Sequence, residues 1–263
     1  MKEEKMEKMS RREFLVGTGG FAAGAAVGAV LGGGVFNLLP AAAAEATYPY
    51  PYVKLDPEKV RKYGYELYYQ GGCMYGAASA IIKALAEEVG APFSSFPVDM
   101  FKYGAGGVAG WGTICGTVNG AAAVINLVAP KPEAFPMISE LLGWYSETPL
   151  PSKKLDAIAK FQDQAQSVAT TPLCHSSVSN WCEASGQKES SPQRLDRCAK
   201  LTGDVAAKAV ELLNAWKDGK FAPVYKVPAE TAKCMGCHVG KDSMLNNSFG
   251  KMNCTSCHDD HTK

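Results

Sequence analysis

The chain is poor in histidine, nearly free of net charge, and without any run of alternating apolar and polar residues long enough to mark a strand. Each shortage excludes something. Twenty-seven basic side chains against 26 acidic ones leave no electrostatic footprint for nucleic acid. With no period-two alternation there is no sheet to predict, and the expected fold is all-α. Cysteine is missing before Cys73, and four of the nine fall in the last thirty positions. An odd count argues against a chain stapled only by paired disulfides. Four histidines in 263 residues are so few that the place of each one matters.

Residues 1–46 read as an address and not as part of the fold. Ser10-Arg11-Arg12-Glu13-Phe14-Leu15 is a twin-arginine export signature. The apolar stretch from Phe14 to Leu39 is long enough to suggest a membrane span. Its eight glycines oppose that reading, and the small residues around Glu45 suit cleavage after Ala44 or Ala46. The alternative is a retained anchor. The leader carries five basic and five acidic groups, so its removal leaves 22 against 21. The expected location is the periplasm, with no stable membrane insertion after cleavage. The twin-arginine route carries folded proteins, so it also predicts a cofactor inserted in the cytoplasm.

Residues 47–219 read as a helical body. Asp56-Pro57 supplies an N-cap and first helical residue for a helix to about Tyr69. Gly71-Gly72 breaks it, and a second helix runs from Met74 to Val89 before Gly90. Phe101 to Ala129 is glycine-rich and apolar and reads as close-packed helices, with a loop at Gly104 to Gly112 as the alternative for that part. Pro132 to Tyr145 and Leu155 to about Val168 also read as helical. Ser191-Pro192 opens a long amphipathic helix ending at Gly219, with Leu195, Leu201, Val205, Ala209, Leu212 and Leu213 approximating one face. Gly104-Ala105-Gly106-Gly107-Val108-Ala109 fits G-x-G-x-x-A, but no strand precedes it, which argues against a dinucleotide site.

Residues 220–263 form a tail too polar and too short to bury a core alone. Cys234-Met235-Gly236-Cys237-His238 and Cys254-Thr255-Ser256-Cys257-His258 both match C-x-x-C-H. Two thiols at this spacing add to the two vinyl groups of one haem, and the following histidine meets the iron. Four thiols could instead hold zinc, but a Cys₄ zinc site needs no histidine and both motifs carry one. Two haems c, attached at Cys234, Cys237, Cys254 and Cys257, are therefore expected, and their macrocycles supply the apolar core the tail lacks.

His238 and His258 are the expected proximal ligands. His175 and His261 remain, so two bis-histidine haems consume the whole histidine complement. His261 lies too close in sequence to His258 to reach the far face of the same haem, so it serves the other haem or one in a second subunit. Met244 or Met252 as sixth ligand, or an open iron, are the alternatives. A six-coordinate haem has no place for substrate, so the expected role is an electron carrier passing electrons to redox partner proteins. The contrasting reading is an oxidoreductase reducing nitrogen oxyanions or peroxide at an open haem or a cluster.

Five cysteines remain: Cys73, Cys115, Cys174, Cys182 and Cys198. Four thiolates suit an iron–sulfur cluster, although dispersed spacing is not a ferredoxin pattern; disulfides or inert buried thiols are the alternatives. Gly72-Cys73, then Cys115-Gly116-Thr117-Val118-Asn119-Gly120, then Cys182 and Cys198, resemble a redox-active domain built on four cysteines and a C-G-A-x-x-G element. Thr117 replaces its alanine. With the two C-x-x-C-H motifs behind it, the chain from about Tyr48 onward resembles the split-Soret cytochrome c family. The resemblance implies a periplasmic homodimer with two haems c per subunit, stacked near the interface and partly ligated across it. It also implies an iron–sulfur centre, of [2Fe-2S] type, on Cys73, Cys115, Cys182 and Cys198. Cys174 falls outside the pattern, either as a bystander beside His175 or as a replacement for Cys182.

Overall fold

The computed structural model describes residues 47–261, so the leader and its signature lie outside the described residues. Six α-helices follow in order: α1 Pro57–Val89, α2 Gly116–Val128, α3 Lys131–Glu147, α4 Cys174–Ser185, α5 Pro192–Lys217 and α6 Ala229–His238. Short 3₁₀ turns lie at Phe93–Ser95, Val98–Gly104 and Lys153–Leu155. No strand occurs among the described residues, only two isolated bridges, as an all-α fold requires. No described helix is long and apolar enough to cross a membrane.

The caps explain where the long helices start. Asp56 accepts a hydrogen bond from the Glu58 amide at 2.8 Å, and Pro57 takes the first helical position. Ser191 accepts from the Arg194 amide at 3.1 Å, with Pro192 in the same role. Each cap answers an N–H the helix cannot satisfy internally. The expected break at Gly71-Gly72 is a kink inside one continuous element, where Gly72 adopts φ 83° and ψ −172°. A side chain there would also meet Ala105.

α1 and α5 cross where glycine faces glycine. A Cβ on Gly203 would sit 2.4 Å from the Arg61 carbonyl oxygen, so only hydrogen fits between the backbones. Around this crossing α1, α2, α3 and α5 bury Ile81, Leu85, Val118, Ile125, Leu141, Val205 and Leu213 almost completely. Each such side chain contributes about 1.5–3 kcal/mol through burial.

Two expectations fail. Leu155 to Val168 is not a helix: after Lys153–Leu155 the chain runs irregularly, and Ser167 pairs with Leu150. The cause is the fully buried Asp196. It accepts from the amides of Lys160 and Phe161 at 3.3 and 3.1 Å, from the Tyr65 and Tyr69 hydroxyls at 2.7 Å, and from Gln164. A buried carboxylate needs such donors, and it draws amides that a helix would turn inward. Leu195 is likewise off the apolar face, 42% exposed, because the first turns of α5 bury Asp196, Arg197 and Lys200 instead. Helices α4 and α6 were not anticipated as elements.

The tail is held against the body by polar contacts. Glu140 on α3 accepts from the amides of Val224 and Tyr225 at 2.9 and 2.8 Å. The Tyr225 ring lies over Gly143, and Lys251 donates to Ser139 at 3.1 Å.

Candidate redox centres

Two groups of cysteines stand apart: one inside the body and one in the tail.

In the body, three cysteines occupy helix starts. The kink at Gly72 re-opens α1 at Cys73, and the amides of Met74 and Gly106 point at its sulfur. Cys115 is the N-cap of α2, and Cys174 is the first residue of α4. Free N–H groups and the helix dipole favour anions at these positions. Cys115 and Cys174 are clamped side by side by a bridge between Ile114 and Leu173. In it the Cys115 amide donates to Pro172 O at 2.8 Å and the Cys174 amide to Thr113 O at 2.7 Å. Cys198 comes from the second turn of α5. The glycine-rich stretch from Gly104 to Thr113 wraps this group, and no strand precedes it among the described residues. At Gly107 (φ 68°) a Cβ would lie 2.9 Å from the Cys174 Cβ, and at Gly116 one would lie 2.5 Å from the Cys73 sulfur. These glycines give the sulfurs room to meet.

The sulfurs act on one another. The Cys174 thiol donates to Cys115, which outweighs burial and, with the Thr117 hydroxyl 3.3 Å away, holds Cys115 down to about 6. Burial, reinforced by Cys115 and Cys198, pushes Cys73 up to about 12. Cys174 is pushed well above the ordinary thiol range by its bond to Cys115 and by burial. Cys73 and Cys174 resist ionising beside Cys115, and bound cations relieve that resistance. Cys182 sits elsewhere. It lies eight residues after Cys174 on α4, about 12 Å along the axis. Arg194, Arg197, Glu189 and Cys198 are the charged and thiol groups that act on it. The arrangement thus brings Cys174 to Cys73, Cys115 and Cys198, where the sequence pattern pointed to Cys182.

Two buried polar atoms are orphaned here. The Tyr145 hydroxyl lies against Cys115 and Ser177 without completing a hydrogen bond, and Arg197 Nε has no partner. The Tyr145 hydroxyl faces Cys115 and the Arg197 guanidinium reaches Cys198 through Nη1, so the surroundings fit an anionic iron–sulfur group. Among the described residues no three His, Cys, Asp or Glu side chains converge on a single metal ion. A cluster asks for less, since each iron of a [2Fe-2S] unit takes only two thiolates.

In the tail, α6 carries the first motif. Cys234 and Cys237 lie one turn apart and share a face. The second motif is a single turn closed by the His258 amide on Cys254 O at 2.9 Å. A cavity of about 470 Å³ lies between the motifs, lined by all four motif cysteines and by His238, His258 and His261. Cys234 and Cys254 are in hydrogen-bond contact, so the two attachment points adjoin. His238 Nδ1 meets Asn247 Oδ1 at 3.1 Å, a contact that orients the ring. The His261 ring stands edge-on to His238 with centroids 5.8 Å apart, beside the first motif's histidine. His175 is exposed and outside this cavity; its amide bonds Gly112 O at 3.1 Å. Met244 is exposed, and Met252 lines the cavity wall.

Comparison with known proteins agrees with this geometry. Residues 75–212 match the redox-active protein family described as C_GCAxxG_C_C. Split-Soret cytochrome c of Desulfovibrio desulfuricans (strain ATCC 27774 / DSM 6949 / MB) is 37% identical over 266 residues, covering 95% of this chain and 94% of that one. A solved structure describing a novel iron centre in the split-Soret cytochrome c from Desulfovibrio desulfuricans ATCC 27774 superposes with a TM-score of 0.75. It is 39% identical and covers 80% of this chain and 89% of the other. With paired C-x-x-C-H motifs on one cavity and a cysteine-centred helical body, the chain belongs to the split-Soret cytochrome c family of c-type cytochromes.

Proposed function

We propose that this protein is a periplasmic one-electron carrier with two haems c in the tail and one iron–sulfur cluster, of [2Fe-2S] type, in the body. The observation that carries the reading is the shared cavity between the two motifs, on which both proximal histidines and His261 converge. Haem iron and a cluster each change oxidation state by one electron. The chain's own residues do the holding. Cys234, Cys237, Cys254 and Cys257 anchor the macrocycles through thioethers, and His238 and His258 ligate the irons. The contact between Cys234 and Cys254 supports two macrocycles packed close together. His261, beside His238, supports service to the first haem. His175, exposed and away from its own tail cavity, suits a haem of a second copy. That is one reason to read the protein as a homodimer. A second is the apolar surface of the tail, where Phe249 and Met244 stand in solvent. In the body, Cys73, Cys115, Cys174 and Cys198 are the proposed cluster ligands, and Cys182 is not.

The twin-arginine signature at Arg11-Arg12 supports export of a body already folded around its cluster, with haem attached afterwards outside the cytoplasm. Low-temperature electron paramagnetic resonance on the purified holoprotein, with iron and acid-labile sulfide analysis, tests the reading. Low-spin haem, indifference to cyanide and carbon monoxide, and a cluster signal on reduction are expected. Absence of sulfide overturns the cluster. A high-spin, ligand-binding haem overturns the carrier in favour of an oxidoreductase.

A further inference from the structure

Arg197 is the most anomalous charge in the molecule. It is 1% exposed, in the second turn of α5, and pairs with no carboxylate among the described residues. Its neighbour Asp196 spends its oxygens on Tyr65, Tyr69, Gln164 and two amides. Arg197 Nη2 donates to Ser177 Oγ at 2.8 Å, Nη1 lies 3.9 Å from the Cys198 sulfur, and Nε has no partner. A guanidinium cannot shed its charge, so burying it without an anion is costly. The buried groups that can be anionic around it are sulfurs. Cys198 and Cys115 both act on it, and so does the Tyr145 hydroxyl.

The same side of the site carries Tyr145. Its hydroxyl is fully buried, unpartnered, and set against Cys115 and Ser177. Arg197 from α5 and Tyr145 from α3 therefore form one patch of donors beside the thiol group, with Ser177 of α4 between them. The second basic side chain differs. Arg194 also approaches Cys198, but it is more exposed and already paired with Glu189 at 2.9 Å.

We propose that Arg197 is the positioning residue that sets the reduction potential of the body's iron–sulfur cluster, with Tyr145 assisting. This rests on the cluster reading above. A fixed buried cation favours the more negative, reduced form, and hydrogen bonds to the sulfurs act in the same direction. The electron therefore falls more readily onto the cluster than four thiolates alone would allow. Its charge offsets the ligands' repulsion without supplying a ligand.

The test is a redox titration of the purified holoprotein followed by electron paramagnetic resonance. Arg197→Gln is expected to lower the equilibrium constant for cluster reduction at least tenfold, about 59 mV for one electron. Tyr145→Phe is expected to shift it the same way by less, Arg197→Lys to restore most of the wild-type value, and Arg194→Gln to change little. The haem potentials serve as an internal reference. If Arg197→Gln does not retain a cluster, Tyr145→Phe carries the test. An unchanged potential in Arg197→Gln, or in Tyr145→Phe where Arg197→Gln does not load, overturns the inference while leaving the cluster intact. A wild-type protein without sulfide overturns both the cluster reading and the inference.

Discussion

Cys174→Ala is expected to abolish the iron–sulfur signal, and Cys182→Ala to leave it in place. The two residues share α4 and differ by two turns, about 12 Å of axial rise, so one small cluster takes only one of them. Cys174 is clamped against Cys115 by the bridge between Ile114 and Leu173, and its thiol already donates to the Cys115 sulfur. Cys182 faces Arg194, Arg197 and Glu189 at the margin, with Cys198 the cysteine nearest in effect. Both substitutions remove a sulfur from a helix that keeps its backbone bonds, so far-ultraviolet circular dichroism should stay at wild-type values. Acid-labile sulfide per protein is the measurement. Loss in Cys182→Ala with retention in Cys174→Ala would restore the ligand set the sequence pattern suggested.

Asp204→Ala should be the most damaging change away from the redox centres. Asp204 is 2% exposed on α5 and forms an ion pair with the buried Arg61 on α1. It also accepts from the Ser152 amide at 2.7 Å and the Ser152 hydroxyl at 2.6 Å. It thus ties α1, α5 and the turn before Lys153–Leu155 beside the Gly64–Gly203 crossing. Removing it leaves a guanidinium and two serine donors buried without their acceptor. Breaking a buried pair in this way costs about 3–5 kcal/mol. For a domain of this size that is roughly 6–20 °C in Tm. Glu58, the other partner of Arg61 at 2.8 Å, is largely exposed and does not compensate. Asp204→Asn keeps the size but not the charge and should lie between alanine and wild type. A thermal scan of the holoprotein that finds all three within 1 °C would refute this account.

The sequence by itself determined much of this protein, because its strongest signals are short and local. Two C-x-x-C-H motifs require nothing beyond five consecutive residues, since thioether spacing and the proximal histidine are properties of one turn of chain. Helix ends at Asp56-Pro57, Gly90 and Ser191-Pro192 are equally local, and the all-α fold follows from periodicity. The count of four histidines against the four axial positions of the two proposed haems is arithmetic on the chain.

Only the tertiary structure decided what depends on distant residues. Leu155 to Val168 carries tolerable helical composition, yet Asp196, 28 positions beyond Val168, draws its amides away. The closeness of Cys174 to Cys115 comes from a two-residue bridge too short to leave an alternating pattern. Arg197 reads from sequence as one charged residue on an amphipathic helix. Its burial beside the sulfurs exists because α4 and α3 bring Ser177 and Tyr145 to it. Spacing along the chain measures what a turn can reach, whereas burial and charge are set by what other segments bring.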